Sequence, residues 1–140
     1  MADRRIVMEP TSKAELDELR AMVVTNLHDA HVAGLSAQGR YEFAYNAARL
    51  VATLVIRASG YRVSARGGHH FYTFMALETA DPAFARAAAL FDAARNKRND
   101  FSYDTPIPIS DTDARDLLIA VQQFQREVER WIRSKTPGLA

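Results

Sequence analysis

The sequence predicts an all-α protein, a mostly up-and-down bundle of about five helices. Apolar residues recur at helical spacing through most of the chain, and no stretch alternates apolar and polar residues as a half-buried strand would. Signals for helix starts and stops divide the chain into segments of helix length. Because 140 residues suit one hydrophobic core better than two, we expect a single helical domain over residues 1–140.

The first two predicted helices are marked by caps at their ends. Ser12 with Glu15 forms a capping box that begins the first helix, and Gly34 ends it. The second helix begins within residues 36–40 and ends before Gly60, a C-cap glycine. Apolar side chains cover most of the circumference of this second helix. Such a helix lies at the centre of a bundle or is buried in a dimer.

A loop and two more helices follow. Residues 61–68 are rich in glycine and arginine and are predicted to form a loop, and a short third helix covers residues 70–79. Asp81 as N-cap and Pro82 in the first turn begin the fourth helix, which is rich in alanine. It ends before Asp104.

The C-terminal part of the chain predicts one further helix. Pro106 and Pro108 impose an extended connection, and Ser110 with Asp113 begins a fifth helix. Its apolar stripe is the most regular in the sequence. The tail after Ser134 is expected to fray.

Composition limits the classes of function. A net charge of +1 and an isoelectric point near 8.1 leave no overall polycation, so any binding of nucleic acid must use a local patch. The absence of cysteine excludes disulfides and thiolate metal sites. The N-terminus has no apolar core of a signal peptide, and the longest apolar run, residues 50–56, is too short to span a membrane. We therefore expect a cytoplasmic protein that needs no cofactor.

Residues 95–103 carry the clearest signal for function. They place three cations, two amides and a phenol within nine residues. Arginine offers a planar fork of donors to phosphate, and asparagine offers both a donor and an acceptor. Arg95, Asn99 and Tyr103 follow at four-residue steps, while Arg98 lies one heptad after the core-facing Phe91. Either the apolar stripe opens into a cleft at Arg98, or Arg98 is buried and paired. The alternative is a solvated helix end whose cations complement the helix dipole.

The histidines suggest weaker candidates. His28 and His31 have a spacing compatible with a metal, but the sequence supplies no further ligands of a bundle metal site, so we predict none. His69 and His70 follow two glycines, and they either cap the third helix or join a ligand-binding loop across from Arg98.

Three segments together point to a family. In chain order they are Tyr-Asn-Ala-Ala-Arg-Leu at residues 45–50 running into Ala-Ser-Gly-Tyr-Arg at residues 58–62, Gly-Gly-His-His at residues 67–70, and Arg98-Asn99 followed after three residues by Tyr103. Over about residues 40–105 the chain resembles HEPN domains (higher eukaryotes and prokaryotes nucleotide-binding). The resemblance implies a helical bundle, a symmetric homodimer with two motifs across one cleft, and a role in a toxin–antitoxin or defence system. A cognate antitoxin or a nucleotidyltransferase is the implied partner.

One departure from the family decides between binding and cleavage. Catalytic HEPN ribonucleases carry a His where this chain has Tyr103, and a phenol with a pKa near ~10 is a poor acid–base group at neutral pH. We therefore predict a non-catalytic module that binds RNA or a nucleotide. Its predicted ligand-binding residues are Arg95, Arg98, Asn99, Tyr103, His69 and His70.

Two other hypotheses remain open. One is a metal-independent ribonuclease in which Tyr103 orients RNA and His69 or His70 supplies the proton. The other is a structural or regulatory bundle whose basic cluster pairs with acids of the first or fifth helix.

Overall fold

The computed structural model describes residues 6–64, 69–101 and 108–140, and it describes the side chains of residues 6–64, 72–99 and 108–140. Tyr103 therefore lies outside the described residues. His69 and His70 are described only by their backbone, which forms the start of a helix.

Five α-helices make up most of the described chain, so the all-α prediction is confirmed. They are α1 (Lys13–Ala30), α2 (Ala37–Ala58), α3 (His69–Ala80), α4 (Ala85–Phe101) and α5 (Asp111–Lys135). A single 3-10 turn, Pro82–Phe84, precedes α4 and is capped by Asp81. No described helix is long and apolar enough to cross a lipid bilayer.

The predicted caps explain most of these boundaries. At α5, Ser110 and Asp113 form both hydrogen bonds of a capping box. At α1 the prediction was only half right. Ser12 accepts a hydrogen bond from the Glu15 backbone N–H, but the Glu15 carboxylate accepts from Thr11 and Arg57.

A small antiparallel sheet accompanies the helices, although no alternating apolar and polar pattern marks a strand in the sequence. β1 (Ile6–Met8) pairs with β2 (Tyr61–Val63), with Val7 opposite Arg62 at the centre. The prediction of a loop was therefore wrong for residues 61–63, and residues 65–68 lie outside the described chain. Three residues are too few for an alternating pattern to become visible in the sequence.

Arg57 joins this sheet to the helices. Its side chain is almost fully buried, and its Nε donates to Glu15 at the start of α1. Nη1 donates to the carbonyls of Glu9 and Tyr61, and Nη2 donates to the Pro10 carbonyl. One buried guanidinium thus connects both strands to α1 and α2.

α2 is the central helix, as its apolar circumference predicted. It packs against α1, α3, α4 and α5, and its alanines and Tyr45 are among the least exposed residues of the core. The small alanine side chains allow the neighbouring helices to approach closely.

The C-terminal tail is ordered, so the prediction of fraying after Ser134 was wrong. α5 continues to Lys135, and a 3-10 turn, Pro137–Leu139, follows it. Arg20 of α1 donates to the Leu139 carbonyl at 2.8 Å and also pairs with Glu129 of α5. Leu139 packs against the main core.

Candidate functional site

Arg98, near the C-terminal end of α4, contacts two residues of α2. Its Nε lies 2.9 Å from both carboxylate oxygens of Glu42. Its Cζ lies 5.0 Å from the centre of the Tyr45 ring, a cation–π arrangement. Glu42 and Tyr45 are three residues apart on α2, so they share one helix face. These contacts fix both the position of the guanidinium and the direction of its Nε–H bond.

The outer edge of the Arg98 guanidinium makes no hydrogen bond to another described residue. Both contacts to Glu42 use Nε, and within the described chain Nη1 and Nη2 have no acceptor. The side chain is 30% exposed, so this edge reaches solvent. The sequence left open whether Arg98 lies in a cleft or is buried and paired. Arg98 is paired with Glu42, yet no described residue accepts a hydrogen bond from its terminal nitrogens.

Tyr45 forms the floor beneath Arg98. It is fully buried, and its ring makes an edge contact with Phe74 of α3 at 6.1 Å between ring centres. Burial raises the pKa of Tyr45 to about 12, although the nearby Arg98, Arg95 and Arg49 act to lower it. At neutral pH Tyr45 is therefore a neutral support for the guanidinium group, and it does not exchange protons.

Arg49 lies on the same face of α2, one turn beyond Tyr45. Its Nε is buried and has no hydrogen-bond partner, and no carboxylate of the described chain forms an ion pair with it. Burial lowers the pKa of Arg49, the Tyr45 phenol raises it in part, and the positive charge of Arg98 lowers it again. The site thus includes Arg49 besides Arg95 and Arg98. Unlike those two, Arg49 forms no ion pair with an acid among the described residues.

Arg95 and Lys97, the other cations near the C-terminal end of α4, have partners on α4 and α5. Arg95 donates to Asp92 and Asn96 of its own helix, and Lys97 pairs with Asp113 of α5 at 2.9 Å. Asn99 is half-buried, and its side chain makes no hydrogen bond within the described chain.

The structure brings part of the predicted site together. Arg95 and Arg98 lie one helical turn apart, and both act on Tyr45. Asn99 is adjacent to Arg98 on α4. Tyr103 lies outside the described residues, so its place in a row with Arg95 and Asn99 stays a prediction. The side chains of His69 and His70 are not described, so their position across from Arg98 stays a prediction as well.

The hypothesis of a structural bundle predicted pairing of the cluster with the first or fifth helix. Lys97 does pair with an acid of α5, but Arg98 pairs with Glu42 of α2, and Arg95 forms an ion pair with Asp92 within α4. Within the described residues, no group of three His, Cys, Asp or Glu side chains could hold a metal ion.

Sequence reasoning missed three residues of this site. Glu42, Tyr45 and Arg49 were not predicted as site residues, although Tyr45 and Arg49 lie within the segment that carried the family resemblance. A usable signal existed, because positions i, i+3 and i+7 fall on one face of a helix. It could not be interpreted without knowing that α4 lies against that face.

Comparison with known proteins agrees with this architecture. Neither the search of curated proteins nor the search of solved structures gave a match. Residues 30–129 match the family described as HEPN_SAV_6107-like HEPN, and this range includes α2, α3, α4 and most of α5. Since the match covers more than half of the 140 residues, the chain belongs to the HEPN family.

Proposed function

We propose that this protein is a HEPN module that binds RNA or a nucleotide through Arg95, Arg98 and Asn99 without turning it over. The observation that carries this proposal is the orientation of Arg98. Glu42 occupies its Nε, while Nη1 and Nη2 make no hydrogen bond to described protein groups. A planar pair of N–H donors suits two oxygens of one phosphate group.

The neighbouring groups support a nucleotide ligand. Asn99 follows Arg98 and supplies an amide, which can both donate to and accept from a ribose or a base. Tyr45 lies beneath Arg98 and is fully buried, so base stacking on that ring is excluded while Arg98 covers it. Recognition of the phosphate is therefore the main contribution of the described site.

The proposal of binding without turnover rests on the acid–base groups. Tyr45 has a pKa of about 12 and cannot exchange protons near neutrality. Tyr103 stands where catalytic members of the family carry a His. The ribonuclease hypothesis then depends on His69 or His70, whose backbone begins α3.

The remaining proposals follow from membership of the HEPN family. They are a symmetric homodimer, a role in a toxin–antitoxin or defence system, and a cognate antitoxin or nucleotidyltransferase as partner. A cytoplasmic location and a single domain over residues 1–140 are proposed with them.

The test measures binding and cleavage of labelled single-stranded RNA and transfer RNA, in the absence of metal, in the same samples. The variants are Arg98→Ala and, as a control, Arg133→Ala. Arg133 is exposed and lies roughly 30 Å along α5 from Asp113, judged from the rise of the helix. Both variants remove one positive charge. A difference in RNA binding between them therefore shows that the position of the lost charge matters.

We expect salt-sensitive binding without cleavage, a loss of about tenfold or more in Arg98→Ala, and little change in Arg133→Ala. Cleavage that is lost in Arg98→Ala would favour the ribonuclease hypothesis. The absence of both binding and cleavage in the unmodified protein would refute RNA as the ligand.

The structural hypothesis makes a different prediction for the same variant. The pair of Arg98 and Glu42 is about one-third exposed on each side, and such pairs contribute about 0–1 kcal/mol to stability. We therefore expect the free energy of unfolding of Arg98→Ala to stay within about 1 kcal/mol of the unmodified protein. A substantially larger loss would favour a structural role.

A further inference from the structure

We propose that Arg49 is a second phosphate contact of this site, and that one phosphate group binds between the guanidinium groups of Arg49 and Arg98 above the Tyr45 ring. The inference rests on the proposed function and deepens it, because it assigns a ligand class to a residue of α2 outside the Arg98 motif. The ligand is a phosphate group, which either an RNA backbone or a nucleotide would provide.

The first observation is the unsatisfied Nε of Arg49. This nitrogen is buried and has no acceptor within the described chain. Buried polar groups of native proteins are almost always hydrogen-bonded, and each exception calls for a physical reason. Arginine cannot relieve the cost by losing its proton at any ordinary pH, because its pKa lies far above neutrality. Because Nε itself is covered, an anion can offset this charge only through Nη1 and Nη2, which are not among the buried unsatisfied atoms of the described chain.

The second observation is the place of Arg49 on α2. Glu42, Tyr45 and Arg49 occupy positions i, i+3 and i+7, which form one row along the helix. Arg98 contacts the first two members of this row. Arg49 therefore follows Tyr45 by one turn in this row, and it is close enough to Tyr45 and Arg98 for the three side chains to interact electrostatically.

The local charge balance favours an anion over water. Glu42 is committed to the Nε of Arg98, and no described carboxylate pairs with Arg49. Two neighbouring guanidinium groups with one carboxylate leave an excess positive charge. A phosphate oxygen between them would accept charge-assisted hydrogen bonds, which are about twice as strong as neutral ones.

Arg49 is also partly accessible. The residue as a whole is half-buried although its Nε is covered. A bound phosphate would therefore be partly shielded from water, which strengthens its interaction with both arginines.

The experiment uses the variants Arg49→Met and Arg49→Lys, with Arg133→Met as the matched control. Methionine keeps an unbranched, flexible side chain of related length and removes the charge. Lysine keeps the charge but loses the planar fork. Three properties are measured for each protein. They are the affinity for an RNA oligonucleotide with hydroxyl ends, the affinity for adenosine monophosphate, and the rise in melting temperature with inorganic phosphate.

We expect Arg49→Met to lose the phosphate-induced rise in melting temperature and to bind its ligand about tenfold or more weakly. Without ligand, its melting temperature should equal or exceed that of the unmodified protein, because the variant removes a buried unpaired polar group. Loss of binding together with retained or increased stability is a combination that a purely structural arginine would not give. The affinity of Arg49→Lys should lie between the affinities of Arg49→Met and the unmodified protein. Arg133→Met should match the unmodified protein in affinity and in phosphate response.

Two results separate this inference from the proposed function. If Arg98→Ala abolishes binding while Arg49→Met stays within about twofold of the unmodified protein, Arg49 is not a phosphate contact and the proposed function stands. If the unmodified protein binds neither RNA, adenosine monophosphate nor phosphate, both are wrong. If Arg49→Met is less stable than expected, the affinities of Arg49→Met and Arg49→Lys are measured well below the melting temperature of each. An affinity within about twofold of the unmodified protein in both variants overturns the inference.

The two ligand arms identify the source of the phosphate. Weakened binding of the RNA with hydroxyl ends supports an internal phosphodiester as the ligand. Weakened binding of adenosine monophosphate, with no affinity for this RNA in any variant, supports the terminal phosphate of a nucleotide.

Discussion

Two arginines that meet acidic side chains have opposite roles in this protein. Each nitrogen of the Arg57 guanidinium has an acceptor, and the side chain is only 5% exposed. Arg98 uses Nε alone and is 30% exposed. A fully satisfied, buried guanidinium stabilises the fold, whereas a partly satisfied, exposed one is available to a ligand. Counting unused donors is therefore more informative here than counting ion pairs.

Arg57 is predicted to stabilise the fold. Arg57→Met leaves the Glu15 carboxylate and several backbone carbonyls without their donor. We expect a loss of about 1–3 kcal/mol in the free energy of unfolding, because part-buried backbone carbonyls lose a charged donor while the Glu15 side chain, 40% exposed, can be hydrated. Urea denaturation monitored by circular dichroism measures it.

Arg62→Met is the matched control for Arg57. Arg62 pairs with Glu9, a residue that Arg57 also contacts, but its side chain is 44% exposed. The loss should be below about 1 kcal/mol. Equal losses in the two variants would contradict the structural role assigned to Arg57.

At the scale of elements, the connection of α4 to α5 depends on Asp113. Its carboxylate accepts from the Ser110 backbone N–H in the capping box and pairs with Lys97 of α4 at 2.9 Å. The hydrogen bond from Lys97, followed by that from the Ser110 backbone, lowers the pKa of Asp113 to about 2. One carboxylate thus caps α5 and joins it to the helix that carries Arg98.

The pH dependence of stability follows from this lowered pKa. The folded state favours ionised Asp113, so its contribution is complete above the ordinary aspartate pKa of 3.8 and is lost as the pH falls towards about 2. We expect the stability of the unmodified protein to decrease more steeply over this interval than that of Asp113→Asn. Urea unfolding at a series of pH values measures both slopes. Parallel curves would show that Asp113 has no such role.

The elements also show what the sequence could predict. Caps such as Ser110 with Asp113 act over three or four residues, so their signals lie within the sequence of one helix. Glu15 shows the limit, because its predicted partner was the Ser12 backbone and its actual partner is Arg57, 42 residues away. Arg49 shows the same limit at the site. On α2 alone it resembles any polar residue, and only the packing of α4 places a second arginine beside it.

At the scale of the whole molecule, a net charge of +1 requires that binding of RNA be local. The candidate site contains three guanidinium groups, those of Arg49, Arg95 and Arg98. For a single strand, each neutralised phosphate contributes about −0.7 to the slope of log Kobs against log salt concentration. Because Arg49 and Arg98 share one phosphate and Arg95 can neutralise a second, one site should give a slope no steeper than about −1.4.

The proposed homodimer changes this expectation in a measurable way. A dimer that places two sites on one RNA should give a slope up to about −2.8, twice the limit for one site, and Arg98→Ala should make it shallower by weakening the shared phosphate contact in each site. Sedimentation velocity at the same protein concentrations supplies the oligomeric state independently. A dimer with a slope no steeper than about −1.4 would mean that only one site contacts each RNA. A slope well beyond about −2.8 that Arg98→Ala leaves unchanged would place RNA binding on another surface, since two phosphates per subunit could not release that many counterions.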